Sequence, residues 1–583
     1  MTNQIFEKNL QCLQKRYPNY AEEVRLKDVG LITTGINRDF VHNWLQKSYS
    51  PNKKQAVLLG LANGYAIEQL QNTFAPQFLV IIESDFKNLA SAMHNIDMSD
   101  ALTDESYHWI IGCHPIHIEE GLQYVKSRLA AHGFQVLKTP TANQSEIIYG
   151  ESILKKIPAI IERETFSLRA FLARGTGTQS NIAINLPVII DAYPLDAVIQ
   201  KFQNRPAIIT AAGPSLDKNV DQLAGLDNRA VLLCVDTAAR TLLPKRIHPH
   251  FVVTSDPTPE NAKHFNDVIL PEKTVFAFAP DACPKAVEKF RDHSRKLCLF
   301  DNSNWFNEHY RKLMNLRKLL PRPMHVSELA IRLAIAMGCD PIILVGLDLA
   351  LPSNSQATHA ASSARSARIV STDNNRIEVE DETGKIISHD MAKVPGIDGN
   401  PVLTYYSFKM YLDDLQNIIH TTPKKWIDAT EGGALKPGCI NQTLQDTLAQ
   451  LGKSIDIEKC LRIMNKISIE LKQNCIESFE TSLDMLKELE TNMQKSAAGE
   501  LSLDDATQTW HTFLKDPDIR ALLDHAAFPF RLQPHIDKIA DNEKMEFLRQ
   551  RASESINIIK IFIALWDDGL RKCKNRIKQE SNS

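Results

Sequence analysis

The chain has 583 residues, 43% hydrophobic and 23% charged, with a formal net charge of -3. That balance fits a globular protein of several domains and excludes a fibre, a disordered chain or a general polyanion-binding surface. No run of about twenty apolar residues is present to span a bilayer, and the opening MTNQIFEKNLQCLQKRYPNY has no signal-peptide core, so a cytoplasmic location is expected. The ten cysteines are scattered without a C-x-x-C pair and read as reduced and mostly structural, with no structural zinc.

Residues 1 to about 50 carry helical spacing of apolar positions. QAVLLGLANGYAIEQLQ and QFLVIIESD then spell strand, turn, helix and strand, with Glu83 closing the second strand. An acidic strand end of this kind can hold ribose hydroxyls, but the turn offers only Gly60 and Gly64, and a Rossmann-like domain without cofactor is the expectation. His114, His117 and Glu119 are too loosely placed to be expected to hold a metal. From 155 to 200 the sequence is helical, with Pro187 and Pro194 expected to break it.

A second α/β domain starts at Pro206. Its strands AIIT, VLLCV, FVVTS, TVFAFA, LCLF and PIILVGLD are continuous apolar runs, most of them separated by helical stretches, which predicts a mostly parallel sheet covered on both faces. Ligands bind such sheets at the carboxyl ends of the strands. Those ends carry Gly213, Pro214 and Ser215, then Asp236 and Thr237, Thr254 to Asp256, Asp281, Asp301 and Asn302, and Gly346 and Asp348. A glycine turn running into a helix at Leu216 suits a phosphate, and the acidic ends suit a hydroxyl-rich ligand. Ser327 can cap the helix before the last of these strands, contact the ligand, or do both.

Beyond Asp348, LALPSNSQATHAASSARSARIVS is small and polar, and a hairpin follows with its turn at Thr383 and Gly384. A second glycine turn in GIDGNPVLT and a further strand end with the loop TEGG, containing Glu431, complete a lid-like insertion. From about 440 onward the pattern is helical to the end. The expected domains are therefore a Rossmann-like α/β domain over 1–170, a central Rossmann-like, mostly parallel sheet domain over 171–440, and an all-α domain over 441–583.

ITAAGPSL, CVDTAARTLLPKRIHPHFVVTSD, SELAIRLAIAMGCDPIILVGLDLA, THA and TEGGALKPG, in that order and spacing, resemble the motility-associated factors (Maf). This is a family of flagellin glycosyltransferases whose central domain is similar to bacterial sialyltransferases. The resemblance implies transfer of a nonulosonic acid, pseudaminic or legionaminic in type, from a CMP-activated donor to serine or threonine hydroxyls of flagellin. Nucleotide contacts are then expected at Gly213, Pro214, Ser215, Leu216, Asp236, Thr237, Ser327, Gly346 and Asp348, and catalytic roles at His359, Asp256 and Glu431, with His359 as the base. The sialyltransferases carry asparagines where this chain has Ala212, Asp236 and Asp256. No metal site is expected, no cofactor beyond the CMP-sugar is required, and the part of a divalent metal stays open. Neither nucleic acid nor a membrane span is expected. The alternatives are a 6-hydroxymethylpterin diphosphokinase-like enzyme, which shares the Gly-Pro-Ser core, and a non-catalytic flagellin-binding protein.

Overall fold

A computed structural model describes residues 2–27, 36–141, 143–174, 176–226, 228–302, 304–351, 358–360, 363, 368–372, 376–380, 384–453, 456–462, 464, 467–531 and 539–582. Thr383 and most of the small polar stretch after Leu351 lie outside them. The chain forms two compact units, Met1–Ala173 and Arg174–Ser583.

The first unit holds a parallel sheet of β1 (Gln55–Leu59), β2 (Phe78–Glu83), β3 (Tyr107–Ile111) and β4 (Gln135–Lys138), in the order β3-β2-β1-β4. Side chains alternate across a strand. Leu58 and Ile81 therefore pack with Leu10 and Leu13 of the helix Thr2–Arg16, while Val57 and Val80 pack with Ile153 and Ile157 of the helix Gln144–Arg174. Both faces are covered, which is why these strands read as unbroken apolar runs. Glu83 ends β2 as expected, but its carboxylate is turned inward: it accepts from the backbone N–H of Leu61, Ser84 and Asp85 and from the Asn88 amide. Burial raises its pKa. These bonds give Glu83 a structural task at the β1 and β2 ends.

The second unit is built on a parallel sheet of nine strands. They are β5 (Tyr193–Pro194), β6 (Ala207–Thr210), β7 (Val231–Val235), β8 (Phe251–Thr254), β9 (Val275–Phe278), β10 (Lys296–Cys298), β11 (Ile342–Val345), and, after an insertion, β16 (Trp426–Asp428) and β17 (Ile440–Asn441). The order is β17-β16-β11-β6-β7-β8-β9-β10-β5. The chain thus moves outward from β6 to β10, returns to place β11 on the other side of β6, and continues outward from there. The direction reverses between β6 and β11, and at such a point the loops leaving neighbouring strands diverge and open a crevice. The insertion is an antiparallel sheet of β12 (Arg368–Thr372), β13 (Arg376–Glu380), β14 (Ile386–Pro395) and β15 (Pro401–Tyr405). Its β14–β15 turn is tied to the loop after β16 by a bridge between Gly396 and Ala434.

Pro187 does not break its helix; it lies inside Gly177–Asp191. Proline removes the donor that the Ala183 carbonyl would otherwise receive, and a second helix packs at that exposed oxygen. A Cβ on Gly569 of the helix Asp541–Asn582 would stand 2.6 Å from the Ala183 oxygen. Pro194 lies in β5.

The segment after 440 is helical as read, but it shares a core with the sheet. Phe306, from the helix Trp305–Leu313, stacks on Phe479, and Phe479 stacks on Trp566, at centroid separations of 5.5 and 5.6 Å. Asp191 binds Lys296 of β10 at 3.1 Å and Arg576 of the last helix at 3.2 Å. Among the described residues no helix is long and apolar enough to cross a membrane. The close approach at Ala183 leaves no space for a branched side chain: Gly569→Val should lower the unfolding free energy by about 2 kcal/mol in urea titration, the usual cost of overpacking.

Candidate functional site

The reversal between β6 and β11 brings the Gly-Pro-Ser turn against the Gly-Leu-Asp end of β11. Ser215 Oγ donates to Asp348 Oδ2 at 2.7 Å, the Ser215 N–H reaches the same oxygen at 3.4 Å, and the Gly213 N–H donates to the Gly346 carbonyl at 2.7 Å. Glycine is required for this contact. A Cβ on Gly213 would lie 1.9 Å from Asp348 Oδ2, and one on Gly346, whose φ is +66°, would lie 2.3 Å from the Ala211 oxygen. Asp348 is buried, and desolvation raises its pKa against the opposing pull of Ser215 and Lys436.

This geometry changes the expected phosphate site. The N–H groups of Gly213, Ser215 and Leu216 are all engaged within the protein, Leu216 donating to the Gly213 carbonyl, and the helix that follows, Leu216–Asn219, is a single turn. The Leu216 side chain is fully buried in the core. The turn therefore offers no row of free donors.

Free donors are found at the helix Val326–Ala336, which packs on the sheet and precedes β11, so that its N-terminus stands at the carboxyl edge. Ser327 is not the cap. That position is His325, which makes no side-chain cap bond, and Ser327 is the second helical residue, 7% exposed. No hydrogen bond to the Ser327 hydroxyl or to the N–H of Val326, Ser327 or Glu328 exists among the described residues. An uncapped helix start of this length is a favourable place for an anion.

His359 lies beside the Gly-Pro-Ser turn. The next residue, Ala360, donates its N–H to the Ala212 carbonyl at 2.9 Å, holding the segment against the Gly-Pro-Ser turn. His359 Nδ1 is 3.0 Å from Thr358 Oγ1, and its ring meets Phe408 edge-on at 6.5 Å. Phe408 packs with Tyr411, and Tyr411 stacks on His325 at 4.4 Å, so aromatic rings run from the candidate base to the uncapped helix.

The other acidic positions separate. Asp236 is 1% exposed, and its carboxylate binds the Thr237 N–H, Thr254 Oγ1 and the Asn261 amide. It ties the ends of β7 and β8 together. Asp256, two strands from β6, is half-buried and accepts from the Thr258 hydroxyl and N–H. Asp281 and Asp301 follow β9 and β10, and at about 4.8 Å between strands they stand roughly 14 to 19 Å along the edge from β6, outside the crevice. Glu431, in the left-handed region at φ +59°, accepts from the Asn219 amide and from the N–H of Leu444. It clips the loop after β16 to two other elements.

Several site residues escaped the sequence reading. Lys436 and Asp428 are 0% exposed and paired at 2.9 Å beneath the Gly432–Gly433 loop. Glu328 accepts from the Met324 N–H and from Arg332, and Arg332 also reaches Asp414 at 3.7 Å. Burial and Asp414 lift Glu328 to about 8 against the pull of Arg332. The signal was present in SELAIRLAIA: two charges at i and i+4 in a helix otherwise apolar all round must both be buried and must meet. Among the described residues no group of three or more histidine, cysteine or acidic side chains could hold a metal ion.

The candidate site thus lies at the carboxyl edge of a doubly wound sheet, at the reversal of strand order where such sheets open a crevice. The family model described as 6-hydroxymethylpterin diphosphokinase MptE-like matches residues 180–354, from the helix carrying Pro187 to just past Asp348. Among solved structures the chain is similar to the Maf glycosyltransferase from Magnetospirillum magneticum AMB-1, with a TM-score of 0.60 and 13% identity, covering 99% of this chain and 100% of that one. The resemblance to the motility-associated factors thus holds at the level of the fold over the whole length. No curated protein matches the sequence.

Two outcomes follow from the buried charges. Lys436→Met should destabilise by about 3 to 5 kcal/mol by stranding Asp428, and Lys436→Met combined with Asp428→Leu should recover much of the loss in thermal melts. Glu328 has a folded pKa above its unfolded value near 4.5, so the wild type should lose stability as pH rises from about 5 to 8. Glu328→Gln should flatten that slope in denaturant titrations.

Proposed function

We propose that this chain is a glycosyltransferase that moves a nonulosonic acid from a CMP-activated donor to serine or threonine hydroxyls of flagellin, meeting its acceptor in the cytoplasm. The reading is supported by the bond from Ser215 to Asp348 and by the Ala360–Ala212 bond that holds the segment of His359 at the same turn, with the uncapped helix start at Ser327 on the same sheet edge, in a fold similar over the whole length to a Maf glycosyltransferase.

The chemistry fits these groups. Breaking a sugar–phosphate bond develops positive charge on the sugar ring and negative charge on the departing phosphate, and the acceptor hydroxyl must lose one proton. The helix N–H groups and Ser327 suit the phosphate. Asp348, held by Ser215 beside Gly432, suits a hydroxyl of the donor. His359 suits the acceptor proton, because an imidazole titrates near working pH. Asp256 is an accessory contact in this reading, while Asp236 and Glu431 shape the walls. Nothing in the scheme requires a metal.

The matched family description favours a second reading, diphosphate transfer from ATP to a hydroxymethylpterin. The fold likeness extends well beyond the matched 180–354 region, to 99% of the chain, which supports the first reading.

Incubation with CMP-nonulosonic acid and flagellin, beside ATP and 6-hydroxymethylpterin, separates them: glycosylated flagellin by mass spectrometry is expected, and pterin diphosphate would replace this reading with the other. His359→Ala should lower single-turnover transfer by about 10²- to 10⁴-fold while leaving CMP affinity near wild type; a full-rate variant removes His359 from the chemistry. Gly213→Ala, whose methyl would meet Asp348 Oδ2, should weaken CMP binding in calorimetry.

A further inference from the structure

We infer that His325 touches the departing phosphate and donates a hydrogen bond to it, a role that rests on the CMP-donor reading above. His325 takes extended backbone angles, φ -152° and ψ 166°, at the cap position of the helix Val326–Ala336. Asn304, Thr443, Ser468 and Ser502 cap other helices of this unit by accepting a first-turn N–H, whereas Thr176, Val235, Cys283 and Tyr405, like His325, make no side-chain cap bond. An imidazole at this position leaves the first-turn N–H groups open and adds a donor of its own beside them. No hydrogen bond to either ring nitrogen exists among the described residues. The unpartnered Ser327 hydroxyl, nine-tenths buried two residues on, is a second polar group at the same end awaiting a ligand.

The ring is held in place by its face. Tyr411 stacks on it at 4.4 Å with an interplanar angle of 29°, which fixes the ring plane and leaves its nitrogen edge free to bond. The charged groups around it are Glu328 and Arg332 of its own helix and Asp414 of the helix Tyr406–Thr421. Glu328 and Asp414 are both drawn to Arg332, so neither carboxylate is positioned as a counter-ion to His325. Burial and Arg332 lower its pKa, which keeps the free imidazole neutral, with one N–H to donate and no charge to repel the helix end.

In the transfer step the bond between the sugar's anomeric carbon and the phosphate oxygen breaks, and its electron pair stays on that oxygen. The acceptor hydroxyl oxygen forms the new bond to carbon, and its proton passes to His359. The His325 N–H bonds the phosphate as its charge grows, without needing to transfer its proton. His325 and His359 thus serve opposite ends of the reaction and are joined through Tyr411 and Phe408.

The test compares CMP with cytidine, which lacks the phosphate, by calorimetry on the full chain. His325→Phe keeps the stack on Tyr411 and removes the N–H; His325→Gln keeps a donor. A hydrogen bond to a charged group corresponds to roughly a 10- to 100-fold change in affinity. His325→Phe is expected to weaken CMP by about that factor while cytidine stays within about two-fold, and His325→Gln to retain most of the CMP affinity. A His325→Phe protein that binds CMP like the wild type overturns the inference, as does one in which CMP and cytidine weaken equally, which would mark a structural role. Wild-type protein that binds neither ligand overturns the CMP-donor reading and this inference with it.

Discussion

One hydrogen bond spans the point where the large sheet reverses direction: Ser215 to Asp348, between residues 133 positions apart in the chain. Everything near the crevice is arranged to let these two strand ends approach so closely. Gly213 and Gly346 give up their side chains to it, and a Cβ on Gly433 would strike the backbone oxygen of Asp348 at 2.2 Å. The Ala434 N–H then donates to that same oxygen, so the loop after β16 is pinned to the end of β11. The buried pair of Lys436 and Asp428 holds that loop from below. Three strand ends are thereby fixed to one another, and the crevice has rigid walls even though it is built from loops.

A buried ion pair is a costly way to fix a loop. Two apolar side chains of similar volume would often be as stable, because both charges must be stripped of water. Its advantage is in direction. Lys436 also donates to the Ala434 carbonyl and Asp428 accepts from the Thr430 N–H, so the pair sets the backbone path on both sides of the glycines. A hydrophobic contact would hold the loop down without specifying that path.

Much of this was legible in the chain itself. Unbroken runs such as AIIT, VLLCV and IILV announce strands buried on both faces, and all of them pair in parallel. The helical character of the segment after 440 was equally plain. What sequence order hid was spatial order. Five acidic strand ends look like one row when read along the chain, but β11 returns beside β6 while β9 and β10 run away from it, so only Asp348 sits at the turn. The Gly-Pro-Ser stretch reads as a set of free donors because the carboxylate and carbonyl that occupy them arrive from the far end of the domain. Ser327 reads as a cap because serine usually is one, and the chain places it two residues past the cap position. Pro187 reads as a helix breaker because the missing hydrogen bond is a local fact, while the neighbouring glycine helix that accommodates it is not.

The antiparallel insertion enters after β11 and leaves through the helix Tyr406–Thr421, and its far turn meets the loop after β16 through main-chain contacts: the bridge from Gly396 to Ala434, the Ile397 N–H on the Gly433 carbonyl, and the Leu435 N–H on the Pro395 carbonyl. Main-chain contacts place few demands on side-chain identity. Exposed positions of the insertion, such as Ile386 and Ile387 on β14, can therefore vary while the main-chain ties that fix the loop after β16 keep their geometry.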